Sequence, residues 1–236
     1  MGRYLIDSLS VFFPAFNEEK NLKATVLKAI RVLKTVAGKW EVIIVNDGSS
    51  DKTGLVADKL KAGDPKIRVI THKVNKGYGE ALKSGFYNAR YNWVATIDAD
   101  GQFDFSEINK LYLKASQGYD VVVGFRMARS DSLLRKINGF GWTILANLLL
   151  GINVRDVDCS FKLVKKDVLD KIPCLESTRG GMISPELLAK AKKAGFKIAE
   201  VGVHHFPRVY GSQTGASIKV IIKSFVDLLK LWQKLK

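Results

Sequence analysis

The chain has 236 residues and contains little cysteine, proline or histidine: two cysteines, five prolines and three histidines. Two cysteines cannot build the disulfide framework of a small secreted domain, and neither Cys159 nor Cys174 lies in a CxxC pair, so we expect a reducing compartment. Asp7 lies where a secretory signal would need an apolar run, so no signal peptide is predicted. The sequence has no internal repeat and no low-complexity linker, which argues against a repeat architecture.

Acidic residues are also scarce, with 23 Asp and Glu against 38 Lys and Arg and a formal charge of +15. The imbalance lies mostly in the second half of the chain. Residues 1–125 carry 18 basic against 14 acidic residues, and residues 126–236 carry 20 against 9. We therefore expect the second half to meet an anionic partner, which could be nucleic acid, an acidic membrane surface or a phosphorylated substrate.

Apolar stretches of strand length alternate with stretches of helical periodicity through the first half of the chain. The patterns predict strands at residues 8–13, 41–45, 67–71, 93–97 and 120–124, and helices at 53–61, 77–90 and 106–116, with a further helix signalled by residues 17–19. Strand–helix alternation predicts an α/β, Rossmann-like fold whose mostly parallel sheet has helices on both faces. The length predicts one such domain, residues 1–216, followed by a C-terminal helix at 217–236.

Two segments of the second half are apolar enough to suggest contact with a membrane. Residues 137–154 contain no charge over 18 positions, but their three asparagines and three glycines favour a pair of buried or interface-lying helices over a membrane span. Residues 217–236 are predicted to form a basic amphipathic helix. Its apolar stripe comprises Ile218, Ile221, Ile222, Phe225, Leu229 and Trp232.

Polar clusters follow four of the predicted strands, at residues 14–19, 47–51, 73–77 and 98–102. In open α/β sheets ligands bind beyond the carboxyl ends of the strands, so the four clusters predict one site. Asp98 and Asp100 could share a Mg²⁺ or Mn²⁺ ion with diphosphate oxygens, or could form only a solvated acidic turn. Asp47 could accept a hydrogen bond from a nucleobase or ribose, while Ser50 or Asp51 could cap the next helix.

Four motifs in this order resemble the inverting, family-two glycosyltransferases of the GT-A fold, over residues 8 to 206. They are FPAFNEE at 13–19, VNDGSSDKT at 45–53, NKGYGEAL at 75–82 and DADGQ at 98–102. The resemblance implies a metal held by Asp98, Asp100 and Gln102. It also implies a donor site formed by Pro14, Asn17, Glu18, Asp47, Lys76, Asp98 and Ala99.

Later motifs resemble the dolichyl- and polyprenyl-phosphate sugar synthases of that family. They are VVVGFR at 121–126, LR at 134–135, DVDCSFKL at 156–163, and HHFPR with GSQTG at 204–208 and 211–215. Gln213 stands where many relatives have lysine, which leaves the exact substrate open. The resemblance implies that residues 133–154 pack at the membrane, that Arg126, Arg135, Arg208 and Ser212 bind the acceptor phosphate, and that Asp100, Arg126, Arg208 and Glu186 act in catalysis.

The expected reaction is inverting transfer of a hexose from a GDP-mannose or UDP-glucose type of donor to a polyprenyl or dolichyl phosphate, by an enzyme bound peripherally at the cytoplasmic face. A phosphate acceptor is already dianionic near neutral pH and needs no general base. The alternative acceptor is a hydroxyl of a polysaccharide or glycolipid, which would need a carboxylate base from Asp156, Asp158 or Glu186. Nucleic acid is not expected as a partner, because the ligand edge of the sheet is acidic.

Overall fold

The computed structural model describes residues 4–127, 133–178, 180–211 and 218–235, with the backbone alone at 133–135, 180 and 218–223. Within these ranges seven strands form one mixed sheet in the order β3-β2-β1-β4-β6-β5-β7. The strands are β1 (Ile6–Ala15), β2 (Ala37–Asn46), β3 (Ile67–Thr71), β4 (Trp93–Thr96), β5 (Val121–Arg126), β6 (Lys162–Lys165) and β7 (Ile198–Val203). Strand β6 runs antiparallel to both of its neighbours, and the other neighbouring pairs are parallel.

Helices cover both faces of this sheet. They are α1 (Leu22–Val36), α2 (Thr53–Gly63), α3 (Tyr78–Asn88), α4 (Ile108–Ala115), α5 (Leu133–Leu150), α6 (Lys166–Lys171), α7 (Gly180–Lys193) and α8 (Ile218–Leu235), with a 3₁₀ turn at Phe105–Glu107. Helices α1, α2 and α4 enclose one apolar core, and α3, α6 and α7 enclose the other. Strands β1 and β2 are buried on both faces over their last seven residues, and their apolar runs at 11–15 and 42–45 lie there. The predicted α/β class, with helices on both faces of a mostly parallel sheet, is confirmed.

The helix signalled by residues 17–19 is present as α1, but it begins later than those signals indicate. Asn17 has a left-handed φ of 56°, and α1 begins at Leu22. The Asn17 side chain points to the loop after β2, where its Oδ1 accepts a hydrogen bond from the Ser50 N–H at 2.9 Å.

The second half also differs from its prediction. Residues 133–150 form the single helix α5, not a pair of helices, and the chain then leaves the helix through a loop. No helix in the described ranges has the length and apolar character needed to cross a bilayer. The predicted boundary between residues 216 and 217 lies outside the described part of the chain.

Helix α8 packs on the domain with a different face from the one predicted. Leu228 and Leu231 are buried against Met182 of α7, whereas Phe225 and Leu229 of the predicted stripe are 45% and 36% exposed. The inward face is offset by one residue from the predicted stripe, which turns it by about 100°. Helix α8 therefore presents one apolar face to the protein and leaves part of a second one exposed.

Candidate donor and acceptor site

The four predicted polar clusters meet at the carboxyl end of β1, β2 and β4. The first and second clusters are joined by the Ser50 N–H, which donates to Asn17 Oδ1 at 2.9 Å, and by the Glu19 N–H, which donates to Asp51 Oδ2 at 3.2 Å. The third and fourth are joined by the Tyr78 hydroxyl, which donates to Asp98 Oδ1 at 2.7 Å. The clusters therefore form one connected site, as the strand order requires.

Asp47 is the link between the second and third clusters. Its Oδ1 accepts the Lys76 N–H and its Oδ2 accepts the Gly77 N–H, both at 2.9 Å, and Oδ1 lies 2.6 Å from His72 Nδ1. Asn75 Nδ2 donates to Oδ2 as well, and Asp47 is only 2% exposed. The predicted direct contact of Asp47 with a nucleobase or ribose stays a prediction. Asp47 holds the loop before α3 through the backbone of that loop. The Lys76 side chain stays exposed at the surface of the loop.

Asp98 and Asp100 lie at the centre of the site, with little access to water. Burial raises the pKa of Asp98, although the hydrogen bond from Tyr78 opposes the shift. Burial and the neighbouring Asp98 raise the pKa of Asp100 to about 7. Burial and Asp98 also raise the pKa of Tyr78, which keeps its hydroxyl protonated as a donor. Two carboxylates that repel each other in a buried site are suited to share a cation.

The residues present fit a divalent cation that is completed by substrate. No cluster of three His, Cys, Asp or Glu side chains with metal-binding geometry occurs among the described residues. Mg²⁺ sites commonly use one or two carboxylates together with phosphate oxygens, so Asp98 and Asp100 would suffice once a diphosphate is bound. Gln102 lies beside them with its backbone N–H on Asp100 Oδ1 at 3.1 Å, but its Nε2 donates to the Phe206 carbonyl at 3.0 Å. Its predicted role as a metal ligand stays a prediction.

Arg208 brings a positive charge to this acidic centre. Its Nη2 is paired with Glu18 Oε1, its Nη1 lies 3.6 Å from Asp100 Oδ2, and its Nε donates to the Tyr210 carbonyl at 2.6 Å. The guanidinium therefore neutralises carboxylates of the donor site in this structure. Binding of a phosphate would require it to change partners or to bridge them.

Glu107, which sequence reasoning missed, anchors the segment that carries Arg208. The Glu107 carboxylate accepts the His204 N–H at 2.8 Å and lies 2.9 Å from His204 Nδ1. Phe206 adds a second anchor, because its N–H donates to the Gln102 carbonyl at 2.8 Å. These contacts fix residues 204–206 beside the Asp98–Asp100 loop, and no local motif signals the distant pair.

Comparison with known protein families identifies the family of this chain. Residues 10–173 match the model of the family described as Glycosyl transferase family 2. The chain belongs to glycosyl transferase family 2.

Two similar proteins span most of this glycosyltransferase. The undecaprenyl-phosphate 4-deoxy-4-formamido-L-arabinose transferase of Pectobacterium carotovorum is 30% identical over 95% of the chain and 67% of its own length. A dolichyl-phosphate beta-glucosyltransferase of Trichomonas vaginalis is 31% identical over 94% of the chain and 72% of its own length.

A solved structure supports the predicted GT-A fold. Glucosyl-3-phosphoglycerate synthase from Mycobacterium tuberculosis, crystallised with Mn²⁺, UDP and phosphoglyceric acid, superposes with a TM-score of 0.71. The superposition covers 96% of this glycosyltransferase and 78% of the synthase, at 19% sequence identity.

The other predicted site residues of the glycosyltransferase occupy mixed positions. Arg126 donates from Nε and Nη2 to the two carboxylate oxygens of Asp156, at 2.6 and 2.7 Å. Both members are largely buried, so Arg126 does not offer a free fork to a phosphate in this structure, and Asp156 is not available as a base. Arg135 lies on α5, but its side chain is outside the described part, as is the whole of Ser212.

Pro14 and Ala99 are buried residues of the strand ends rather than open donor contacts. Pro14 is the penultimate residue of β1 and pairs in register with Val45 of β2. Ala99 is 1% exposed and packs in the core, while its carbonyl accepts the Thr25 hydroxyl at 3.2 Å. The predicted donor contacts of Pro14 and Ala99 stay predictions.

Glu186 is buried in α7, and its carboxylate is fully committed. Oε1 accepts the Glu176 N–H at 2.8 Å and Lys190 Nζ at 2.5 Å, and Oε2 accepts the Ser177 N–H at 2.8 Å. Burial raises the pKa of Glu186, but the hydrogen bonds from Lys190 and Ser177 outweigh it, so the pKa lies below its usual value. A general base at neutral pH needs a raised pKa, so the predicted base role is not supported.

Lys162 is a second buried charge that sequence reasoning missed. It is 2% exposed on β6, and its Nζ donates to the Cys159 carbonyl. Burial lowers its pKa, and the negative charges around it, including Asp98, oppose that shift. Its position between Phe161 and Leu163 in an apolar strand could have indicated a buried lysine. A buried lysine rarely lacks a partner, so a nearby acceptor would have been expected.

Proposed function

We propose that this enzyme transfers a hexose, with inversion, from a nucleotide sugar of the UDP-glucose type to a polyprenyl phosphate at a membrane surface. The two relatives above, at 30% and 31% identity, are both named for transfer to a polyprenyl phosphate, undecaprenyl in one and dolichyl in the other. UDP and Mn²⁺ are the nucleotide and metal in the crystal of the glucosyl-3-phosphoglycerate synthase. A UDP-linked donor is therefore preferred here over GDP-mannose.

The observation that carries the acceptor class is the commitment of two candidate bases. A hydroxyl acceptor needs a carboxylate to remove its proton, whereas a phosphate acceptor is already an anion near neutral pH. Asp156 is held by both arms of Arg126, and Glu186 is held by two backbone N–H groups and Lys190. Asp158, which is exposed, is the remaining candidate for the alternative reaction.

The proposed mechanism depends on charge neutralisation and alignment. A divalent cation held by Asp98 and Asp100 would stabilise the leaving diphosphate as a Lewis acid. Arg208 is already beside Asp100, so its guanidinium would lie where the acceptor phosphate approaches the diphosphate. Without such a cation the two anions would repel each other, and their approach would be slow. In-line attack by the phosphate oxygen would then invert the anomeric carbon.

A membrane-docking surface is proposed on α5. Among the side chains of α5 that the structure describes, four exposed apolar ones recur every three to four residues and so share one face: Ile137, Phe140, Ile144 and Leu148, which are 49% to 79% exposed. Exposed Lys136 and Arg155 flank this stripe, and the exposed side chains Phe225 and Lys230 of α8 add apolar and basic surface. Such a helix would lie in the interface of an anionic cytoplasmic leaflet, where a polyprenyl phosphate is available.

A panel of donors and acceptors tests this function. UDP-glucose and GDP-mannose would each be incubated with Mn²⁺ and with polyprenyl phosphate, free polyprenol or phosphoglyceric acid. We expect sugar transfer to the polyprenyl phosphate from UDP-glucose, and none to the polyprenol, which has the same chain but only a hydroxyl. Transfer to polyprenol would support the hydroxyl alternative, and transfer to phosphoglyceric acid alone would overturn the lipid assignment.

A further inference from the structure

Residues 174–178, between α6 and α7, form a segment whose backbone is held by side chains at three successive N–H groups. The Leu175 N–H donates to the Tyr87 hydroxyl at 2.7 Å, and the next two N–H groups donate to Glu186. Lys190, the partner of Glu186, also donates to the Cys174 carbonyl at 2.6 Å. The buried Glu186 carboxylate and its counter-ion Lys190 therefore both hold this one surface segment in place.

The far end of this segment lies against the first turn of α3. The Thr178 carbonyl accepts the Gly79 N–H at 3.0 Å, so it satisfies one of the free N–H groups at the start of that helix. The approach is close enough to require glycine, since a Cβ at position 79 would lie 2.5 Å from the Thr178 carbonyl carbon. A Cβ at Gly77 would lie 3.0 Å from the Thr178 carbonyl oxygen.

The same turn of α3 carries the hydroxyl that orients Asp98. Tyr78 is the first residue of α3, next to Gly79, and its hydroxyl donates to Asp98 Oδ1 at 2.7 Å. A continuous series of contacts therefore leads from Glu186 through residues 176–178 and Gly79 to Tyr78 and Asp98. Groups that orient a metal-binding carboxylate from behind commonly change metal affinity about 10- to 100-fold when they are removed.

We propose that Glu186 is a positioning residue, which holds residues 174–178 against the first turn of α3 so that Tyr78 orients Asp98 for the divalent cation. The inference rests on the proposed metal-dependent donor site and assigns to Glu186 a role different from that of a base. The two roles differ in what they affect. A base acts on the acceptor during transfer, whereas this positioning acts on the metal site before any acceptor binds.

The test measures Mn²⁺ binding alone, by the electron paramagnetic resonance signal of free Mn²⁺, in the full-length chain. Glu186→Gln keeps one acceptor oxygen but turns an NH₂ group towards the N–H donors, so it should loosen the segment while Lys190 still holds Cys174. We expect Mn²⁺ affinity to fall about tenfold. Glu176→Gln is the matched control, because it removes the charge that pairs with Lys234 and, at 3.9 Å, with Lys190, but leaves the Glu176 N–H and the Glu186 carboxylate in place. It should bind Mn²⁺ as the parent chain does.

A second variant approaches the same contact from the other side. Gly79→Ala favours the helix by intrinsic propensity, but its Cβ must push residue 178 away from α3. We expect a similar loss of Mn²⁺ affinity with no loss of helix. This variant keeps the proposal testable even if Glu186→Gln does not fold.

A double-mutant cycle decides whether Glu186 acts through Tyr78. Tyr78→Phe alone should weaken Mn²⁺ binding about tenfold, and adding Glu186→Gln should weaken it by less than a further twofold. Amide hydrogen exchange at residues 176 and 177 should speed up in Glu186→Gln and not in Glu176→Gln. Additive losses of affinity, unchanged Mn²⁺ binding in Glu186→Gln, or unchanged exchange would each overturn the proposal. A failure of the lipid-acceptor function would appear instead as a lack of transfer by the parent chain, with these measurements still readable.

Discussion

The proposed donor side and the proposed acceptor side of the site hold their charged groups in different ways. On the donor side, Asp47 accepts backbone N–H groups of the loop at 76–77, and these bonds have no reason to break when a nucleotide binds. On the acceptor side, Arg126 and Arg208 are paired with the carboxylates of Asp156, Glu18 and Asp100. The first arrangement is preorganised for its ligand, and the second has to exchange ion pairs to receive an anion.

This difference suggests that metal and donor binding prepare the acceptor side. Arg208 is paired with Glu18 and its Nη1 lies 3.6 Å from Asp100 Oδ2. A divalent cation at Asp98 and Asp100 would replace that charge and allow the guanidinium to turn to a phosphate. Variants on the two sides should therefore affect different steps, and the following expectations run from the largest effect to the smallest.

Asp100→Asn should abolish transfer, with a loss of about 1000-fold or more, because it removes a charged ligand of the proposed cation. The same change should stabilise the metal-free protein at pH 8. The pKa of Asp100 is raised from 3.8 to about 7, so its ionisation costs stability that grows between about pH 4 and 7 and stays constant above. Thermal unfolding without metal should show a Tm higher by about 2 °C or more at pH 8, and no gain at pH 4. Full activity, or a lower Tm at pH 8, would contradict the assignment.

Arg208→Ala should lower kcat about 100-fold while changing UDP affinity less than about threefold, since a guanidinium aimed at the acceptor acts mainly in the reacting complex. Initial-rate kinetics and calorimetric UDP binding, both with Mn²⁺, separate the two effects. Arg208→Lys is the matched variant and should recover part of the rate, because it keeps the charge without the fork. A fall in UDP affinity in proportion to kcat would move Arg208 to the donor side.

The double variant Phe140→Gln/Leu148→Gln should bind anionic liposomes about tenfold more weakly. Both side chains are largely exposed on α5 and would be buried in the membrane interface. Their exposure also means that the Tm should not change. Leu113→Gln is the control, since Leu113 is 54% exposed on α4, against the opposite face of the sheet. Equal liposome binding by the double variant and its parent, at low salt, would remove α5 from the membrane surface.

Asp158→Asn should change transfer to polyprenyl phosphate by less than about threefold, because a phosphate acceptor needs no general base. This is the smallest expected effect and the sharpest test of the hydroxyl alternative. A loss of about 100-fold, with donor affinity intact, would make Asp158 the base and favour a hydroxyl acceptor.

The sequence predicted the sheet and the convergence of its loops better than the partners of the charged side chains, for physical reasons. Strand β3 was predicted residue for residue at 67–71, because a short apolar run bounded by turn residues is typical of a strand in a parallel sheet. The convergence of the four polar clusters follows from strand direction alone. The local sequence pattern contains both the position of a strand and the polar residues at its end, so both predictions were confirmed.

The parts that were missed depend on partners far apart in the chain. The bond from Arg126 to Asp156 joins two residues 30 positions apart, and that from Arg208 to Glu18 joins two residues 190 apart. Helix α8 has apolar residues around much of its circumference, so periodicity alone could not select Leu228 over Leu229 as the inward residue. Glu186 was read as a candidate base because its spacing says nothing about the two N–H groups that occupy it.

The most direct test of the account is the linkage in the product formed from UDP-glucose and polyprenyl phosphate. We expect a glucosyl phosphodiester whose anomeric proton couples to phosphorus and whose configuration is β, the inverse of that in the donor. Proton and phosphorus nuclear magnetic resonance of the purified lipid would show both features. A product with glucose on a hydroxyl, with no coupling to phosphorus, or a phosphodiester with retained α configuration, would contradict it.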